Sequence, residues 1–251
     1  PPDYFSSKGQ LWGTPTYFWS KHKSTNFNWW RKRFKRQFEL VDLLRLDHFR
    51  GLAGYWRVNG NSKTAIYGKW INSPGKTLLN KLKIDLGTAC LPIIAEDLGV
   101  ITPDVDLLRR DFGLPGMKIL QFAFDGNANN PYLPENIKGN NWVVYTGTHD
   151  NATSISWWDN LNDQDKNQIK EIYNFSDKPS WNLMEIGMKT NANLFIAPIQ
   201  DILSLDDSCR FNTPGTTKNN WKWKLNQSLE EIELDLKKFS DLGKSNKRIN
   251  C

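Results

Sequence analysis

The 251-residue sequence predicts an α/β fold on a parallel sheet, with five strands alternating with helices. Three observations predict it. Short apolar runs recur at 43–49, 92–95, 118–124, 142–145 and 194–199. Helix-patterned stretches lie between most of them. Three runs also lead into a carboxylate: Asp47 after Leu46, Glu96 after Ala95, and Asp150 after the run through Tyr145. These acids are roughly fifty residues apart, room for one or two βα units, and the strand ends of a parallel barrel converge on one face.

Residues 1–26 carry Gly9, Gly13 and Pro15 among polar and aromatic residues. This reads as a long loop, and such loops usually serve function. A helix is expected at 27–41, with Trp30, Phe34 and Phe38 four apart on one face. It feeds the first strand. A helix at 74–86 precedes the second. Thr102 followed by Pro103 reads as an N-cap and first helical turn, running to Asp111 before Gly113. Strands at 118–124 and 142–145 follow, then helices at 151–160 and 163–173. Ser180 caps a helix to about 191, before the last strand at 194–199. A terminal helix at 227–239 places Leu229, Ile232, Leu236 and Phe239 on one side, and 241–251 reads as frayed.

Apolar residues make up 39% and charged residues 24%, with mean hydropathy −0.61, an ordinary globular composition. No apolar run approaches the ~20 residues that span a bilayer. The opening Pro-Pro-Asp-Tyr-Phe shows no signal core, so a cytoplasmic or plastid-stromal setting and no membrane partner are expected. The net charge of +6 is concentrated in Arg31, Lys32, Arg33, Lys35 and Arg36. The aromatic stripe of that helix contains no basic residue, which favours a packed helix with a solvated basic face over a nucleic-acid surface. Cys90, Cys209 and Cys251 lack metal-ligand spacing, and neither a metal site nor a cofactor loop is expected. Twelve tryptophans are spread through the chain. Most should be core, a minority stacked on sugar rings.

Paired carboxylates at strand ends suit retaining glycoside chemistry, in which one attacks and another donates a proton from about 5–5.5 Å away. Each acid has a plainer role open to it. Asp47 could be salt-bridged to Arg45 or Arg50, Glu96 could sit at a strand–helix turn, and Asp150 could cap the following helix. Glu96 and Asp97 are neighbours, and strand alternation cannot choose between them without a register. Of three histidines, His22, His48 and His149, the last two adjoin candidate carboxylates and suit hydrogen bonding to sugar hydroxyls.

Seven strings in order carry a family resemblance: Pro1 to Phe5, Gly9 to Pro15, Arg45 to Gly51, Ala95 to Gly99, Gly116 to Asp125, Gly147 to Asn151 and Asn212 to Thr216. The chain resembles the 4-α-glucanotransferases of the amylomaltase or disproportionating-enzyme type, over the C-terminal half of that family's domain. The resemblance implies a (β/α)8 TIM barrel with about five of its eight strands present, so that 1–251 is a single partial domain with 1–26 as an active-site loop. It implies Asp47 as nucleophile, Glu96 as acid/base and Asp150 as the carboxylate that stabilises the transition state. It chooses Glu96 over Asp97. Arg45, His48 and His149 would hold the sugar beside the cleaved bond. Gln10 and Trp12 would overhang the acceptor side and Asn212 would lie near substrate. Asp3 and Phe122 are further substrate-binding candidates within matching strings. The implied substrates are α-1,4-glucans and malto-oligosaccharides. The family's first three strands precede the part matched here, which implies a complementing N-terminal chain as a partner. Two alternatives are a glucan-binding chain without turnover of its own and an α-glucan hydrolase.

Overall fold

The computed structural model describes residues 1–2, 6–99 and 101–249. The chain divides into two compact units, 1–117 and 118–251.

In the first unit, helix α1 (Trp19–Ser24) falls inside the stretch expected as loop. Its Trp19 stacks on Trp30, ring centroids 5.8 Å apart, so packing orders a segment whose local sequence carries no helix signal. Helix α2 (Asn28–Phe38) buries Trp30 and Phe34 and leaves Lys32, Arg33, Lys35 and Arg36 exposed, as its stripe predicted. Strand β1 (Leu44–Leu46) is followed by a short helix, α3 (Arg50–Ala53), and two strands that sequence reading missed, β2 (Gly54–Arg57) and β3 (Lys69–Asn72). These pair antiparallel, with Trp56 opposite Trp70 and their rings 5.6 Å apart edge to face. Helix α4 (Gly75–Leu86) buries Leu78, Leu79 and Leu82. Strand β4 (Ile93–Ala95) and helix α5 (Pro103–Asp111) complete the unit. The core gathers Phe34, Phe49, Leu78, Ile93, Val105 and Leu114.

The register of β1 against β4 matters most. The two are parallel, with Leu44, Arg45 and Leu46 opposite Ile93, Ile94 and Ala95. Asp47 and Glu96, the next residues on each chain, therefore leave the sheet at the same end.

Strand β5 (Gly116–Ile119) begins earlier than expected and stops at Ile119. The remainder of 118–124 is not strand, because residues 120–122 tighten into a 3₁₀ turn. In the second unit, β6 (Trp142–Tyr145) pairs in parallel with β7 (Leu194–Ile196), Val144 opposite Phe195. Helices α6 (Ser154–Asp159), α7 (Asp163–Tyr173) and α8 (Pro179–Lys189) lie between them in sequence. The first two are N-capped by the side chains of Thr153 and Asn162. A one-turn helix α9 (Ile199–Ile202) follows β7, where the expectation had been strand to 199. Helix α10 (Glu233–Ser245) is displaced along the chain from the expected 227–239. Residues 228–231 form a reciprocal turn instead, Ser228 N–H donating to the Glu231 carboxylate at 2.6 Å and Glu231 N–H to Ser228 Oγ at 3.3 Å. Of the predicted stripe, Ile232 is buried and Leu229 is exposed.

The tail is not frayed as far as Ile249. Arg248 donates to the carbonyls of Met188 (2.8 Å), Ala192 and Thr190, satisfying backbone acceptors around the end of α8. The core here includes Leu120, Val144, Trp158, Ile169 and Leu183.

Candidate active site

In the first unit the sequence candidates Arg45, Asp47, His48 and Glu96 come together at the end of β1 and β4. Asp47 is exposed and accepts from Arg45 Nη1 at 2.8 Å. His48 adopts the left-handed backbone region at φ 49°, uncommon for a residue with a side chain. That turn aims its N–H at Glu96 Oε2, 2.7 Å away, while Leu98 N–H donates to Oε1 at 3.1 Å. Gly51 leaves room for the His48 ring: a Cβ there would lie 3.1 Å from its Cδ2.

Glu96 is pushed up from the ordinary glutamate value, first by burial and then by the charge of Asp47. The N–H groups of Leu98 and His48 and the charge of Arg45 pull the other way and do not cancel it. Asp97 is spent differently. Its side chain is 7% exposed, lies 3.2 Å from Arg109 Nε and accepts from Met117 N–H at 2.7 Å. Arg109, itself buried, also holds Asp106 and the carbonyl of Leu114. Of the two neighbouring acids, Asp97 is a packing element, and Glu96 is the one at the open strand end.

Gln10 and Trp12 lie on an exposed loop, tied at Lys8 O by Ala65 N–H at 3.0 Å. Trp12 Nε1 donates to Gln10 Oε1 at 3.1 Å. Asp3 falls outside the described residues. His22 packs among Tyr17, Trp19 and Trp29, a structural setting.

In the second unit His149, Asp150 and Asn212 come together. Asn212 Nδ2 donates to Asp150 Oδ1 at 2.6 Å, and His149 Nε2 lies 3.4 Å from Oδ2. Asp150 does not cap α6, since Thr153 does that. Phe122 sits on the turn after β5, edge-to-face with Tyr132 at 5.6 Å.

Three supporting residues were missed. Arg210 Nη2 donates to the Asp150 carbonyl at 2.6 Å and its Nε to the Asn212 carbonyl at 2.9 Å, so it binds both partners by their backbones. Asp201, 1% exposed, accepts from Thr146 Oγ1, from Ser154 N–H at 2.8 Å and from Ser154 Oγ at 2.7 Å. It thereby clamps both ends of the loop that carries His149 and Asp150. Trp221 is 62% exposed with its ring 5.2 Å from that of His149. The only sequence signal was the matched string around Asn212. Contacts this distant in sequence have no local pattern.

Cys90 and Cys209 are free thiols, and Cys251 lies outside the described residues. Among the described residues no group of three His, Cys, Asp or Glu could hold a metal ion, and no helix is long and apolar enough to cross a membrane.

The family model described as 4-alpha-glucanotransferase matches residues 1–230. The chain is 47% identical over 226 residues to a 4-alpha-glucanotransferase of Synechocystis sp., covering 89% of this chain and 45% of the relative. It is 44% identical to the chloroplastic/amyloplastic 4-alpha-glucanotransferase DPE1 of Arabidopsis thaliana, covering 96% of this chain and 42% of that one. For the Thermus thermophilus 4-alpha-glucanotransferase the figures are 43% identity, 90% and 46%. The chain thus spans less than half the length of the curated relatives it matches. Among solved structures, amylomaltase from Streptococcus agalactiae in complex with acarbose superposes with TM-score 0.91 at 34% identity, over 100% of this chain and 50% of that one. Amylomaltase from Corynebacterium glutamicum shares the fold, with TM-score 0.77 at 20% identity, over 99% of this chain and 42% of that one.

Proposed function

The chain belongs to the 4-alpha-glucanotransferase family, and we propose that it carries the catalytic carboxylates of a retaining transfer between α-1,4-glucans. One observation carries the reading. Asp47 and Glu96 leave parallel strands at matched register, one exposed and ion-paired, the other sheltered and held toward its acid form. Two carboxyls whose surroundings set them apart in this way divide the labour of nucleophile and acid.

In this reading Asp47 attacks C1 of a glucosyl unit while Glu96 gives its proton to the departing glycosidic oxygen. A glycosyl ester on Asp47 results. Glu96, now ionised, takes the proton from the 4-hydroxyl of an acceptor glucan. That oxygen attacks C1 and releases Asp47 with the original anomeric configuration. Arg45 orients the nucleophile and His48 the acid through its N–H. Asp150 is assigned to stabilise the charge that develops at the ring, supported by its place between His149 and Asn212. Gln10, Trp12, Asp3 and Phe122 are assigned to substrate contacts. The substrates are malto-oligosaccharides and α-1,4-glucans, a class consistent with the acarbose bound by the Streptococcus agalactiae amylomaltase. The strands belong, on this account, to a (β/α)8 barrel of which β1, β4, β5, β6 and β7 are five members. The setting is cytoplasm or plastid stroma, the plant relatives being named chloroplastic/amyloplastic.

The test is maltotriose disproportionation. Glucose together with longer oligosaccharides supports transfer, whereas rising reducing ends without longer products would make the activity hydrolytic. A second reading is favoured by the shares of 45%, 42% and 46% of the relatives that this chain spans: residues 1–251 bind glucan but need a complementing chain for turnover. Activity restored only on mixing 1–251 with a chain that supplies the part of the relatives it does not span would support it.

A further inference from the structure

We propose that Trp221 is a stacking platform for a glucosyl unit beside His149 and Asp150, a sugar subsite built on the loop 211–221. The inference rests on the glucan reading above. Trp221 is a large apolar side chain left 62% exposed, and its backbone sits at φ 61°, a region bulky residues avoid. Strain of this kind persists only where surrounding structure imposes it. Here the loop is closed at its base by Trp221 N–H donating to Phe211 O at 2.7 Å. Inside, the Asn220 side chain accepts from Thr213 N–H at 3.0 Å and donates to Thr216 O at 3.0 Å. Phe211 backs the ring at 6.2 Å and is itself met edge-on by Trp223 at 5.5 Å. The indole is thus backed by Phe211 yet more than half exposed, 5.2 Å from the His149 ring and tilted 41° to it. Asn212, in the same loop, is bonded to Asp150. An apolar face next to convergent hydrogen-bonding groups fits a pyranose, whose C–H faces are apolar and whose rim is hydroxylated.

The experiment compares Trp221→Ala and Trp221→Tyr with the wild-type protein at its full natural length, assaying maltotriose disproportionation. Removing a stacked ring should raise KM about tenfold with kcat little changed, the signature of binding lost equally in ground and transition states. Trp221→Tyr should recover most of the loss. An unchanged KM in Trp221→Ala would overturn the platform. Should Trp221→Ala not fold, oxidative footprinting of the wild type decides: maltoheptaose should protect Trp221, and oxidation unaffected by maltoheptaose would overturn the proposal. A wild type without transfer products would defeat the transferase reading alone, since the footprint still reads binding at Trp221.

Discussion

The backbone N–H of His48 donates to Glu96 Oε2 at 2.7 Å, so the turn that carries the nucleophile candidate also holds the acid candidate. In that turn His48 adopts φ 49°, and a Cβ on Gly51 would lie 3.1 Å from its ring. Gly51→Ala should therefore push on the His48 ring and lower kcat by severalfold, since small misplacements of groups around the reacting centre are costly. Steady-state kinetics with a thermal unfolding control checks it, and unchanged kcat would detach the turn from the chemistry.

Glu96 is held above its ordinary value of 4.5 by burial and by Asp47. Its ionisation should set the alkaline limb of the pH–rate profile. The same shift acts on stability. The folded state binds this proton more tightly than the unfolded chain, so the contribution is complete below 4.5 and is lost as pH rises through the raised folded value. Glu96→Gln should abolish transfer and flatten the fall in thermal midpoint over that window. A variant that retains the wild-type limb and rate would point to another acid.

Asp97 should behave as a packing residue. Asp97→Asn breaks a buried pair with Arg109 and should cost roughly 3 kcal/mol, as such truncations do. Its pH–rate limb should match the wild type. Urea unfolding and a pH profile of the same variant separate the two roles, and a shifted limb at unchanged stability would reverse them.

Asp201 joins Thr146 at the end of β6 to Ser154 at the start of α6. Asp201→Ala strands three donors in a buried site and should lose about 2–4 kcal/mol of stability. Asp201→Asn should lose less, because an amide oxygen still accepts from Ser154 N–H and burial already disfavours the charge. Both should lower kcat by loosening the His149–Asp150 loop. Equal stability of wild type and Asp201→Ala would refute the clamp.

What was legible in the chain follows from the range of the forces involved. The Trp30–Phe34 face and the apolar runs at β4 and β6 are local periodicities, and they lie where periodicity put them. Hairpin β2–β3 escaped notice because its four-residue strands are separated by a long connection and find each other through the Trp56–Trp70 contact. Alternation through Phe124 suggested strand, yet Gln121 turns aside to donate to Ala152 O at 3.0 Å. The strings around Asp47, Glu96 and Asp150 were readable as motifs. That Asp97 is engaged by Arg109 could not be read from the sequence, because the pair is a tertiary contact. Asp201, Arg210 and Trp221 act on residues far away in sequence, and nothing local set Trp221 apart from eleven other tryptophans.

The most direct test of the account is to trap the covalent intermediate. The full-length protein carrying Glu96→Gln, incubated with an α-maltosyl fluoride, should accumulate a glycosyl ester, because the activated donor needs no acid to leave while the acceptor lacks its base. Peptide mass spectrometry should find the added sugar on Asp47. An adduct on Asp150 or any other residue would contradict the assignment of Asp47 as nucleophile.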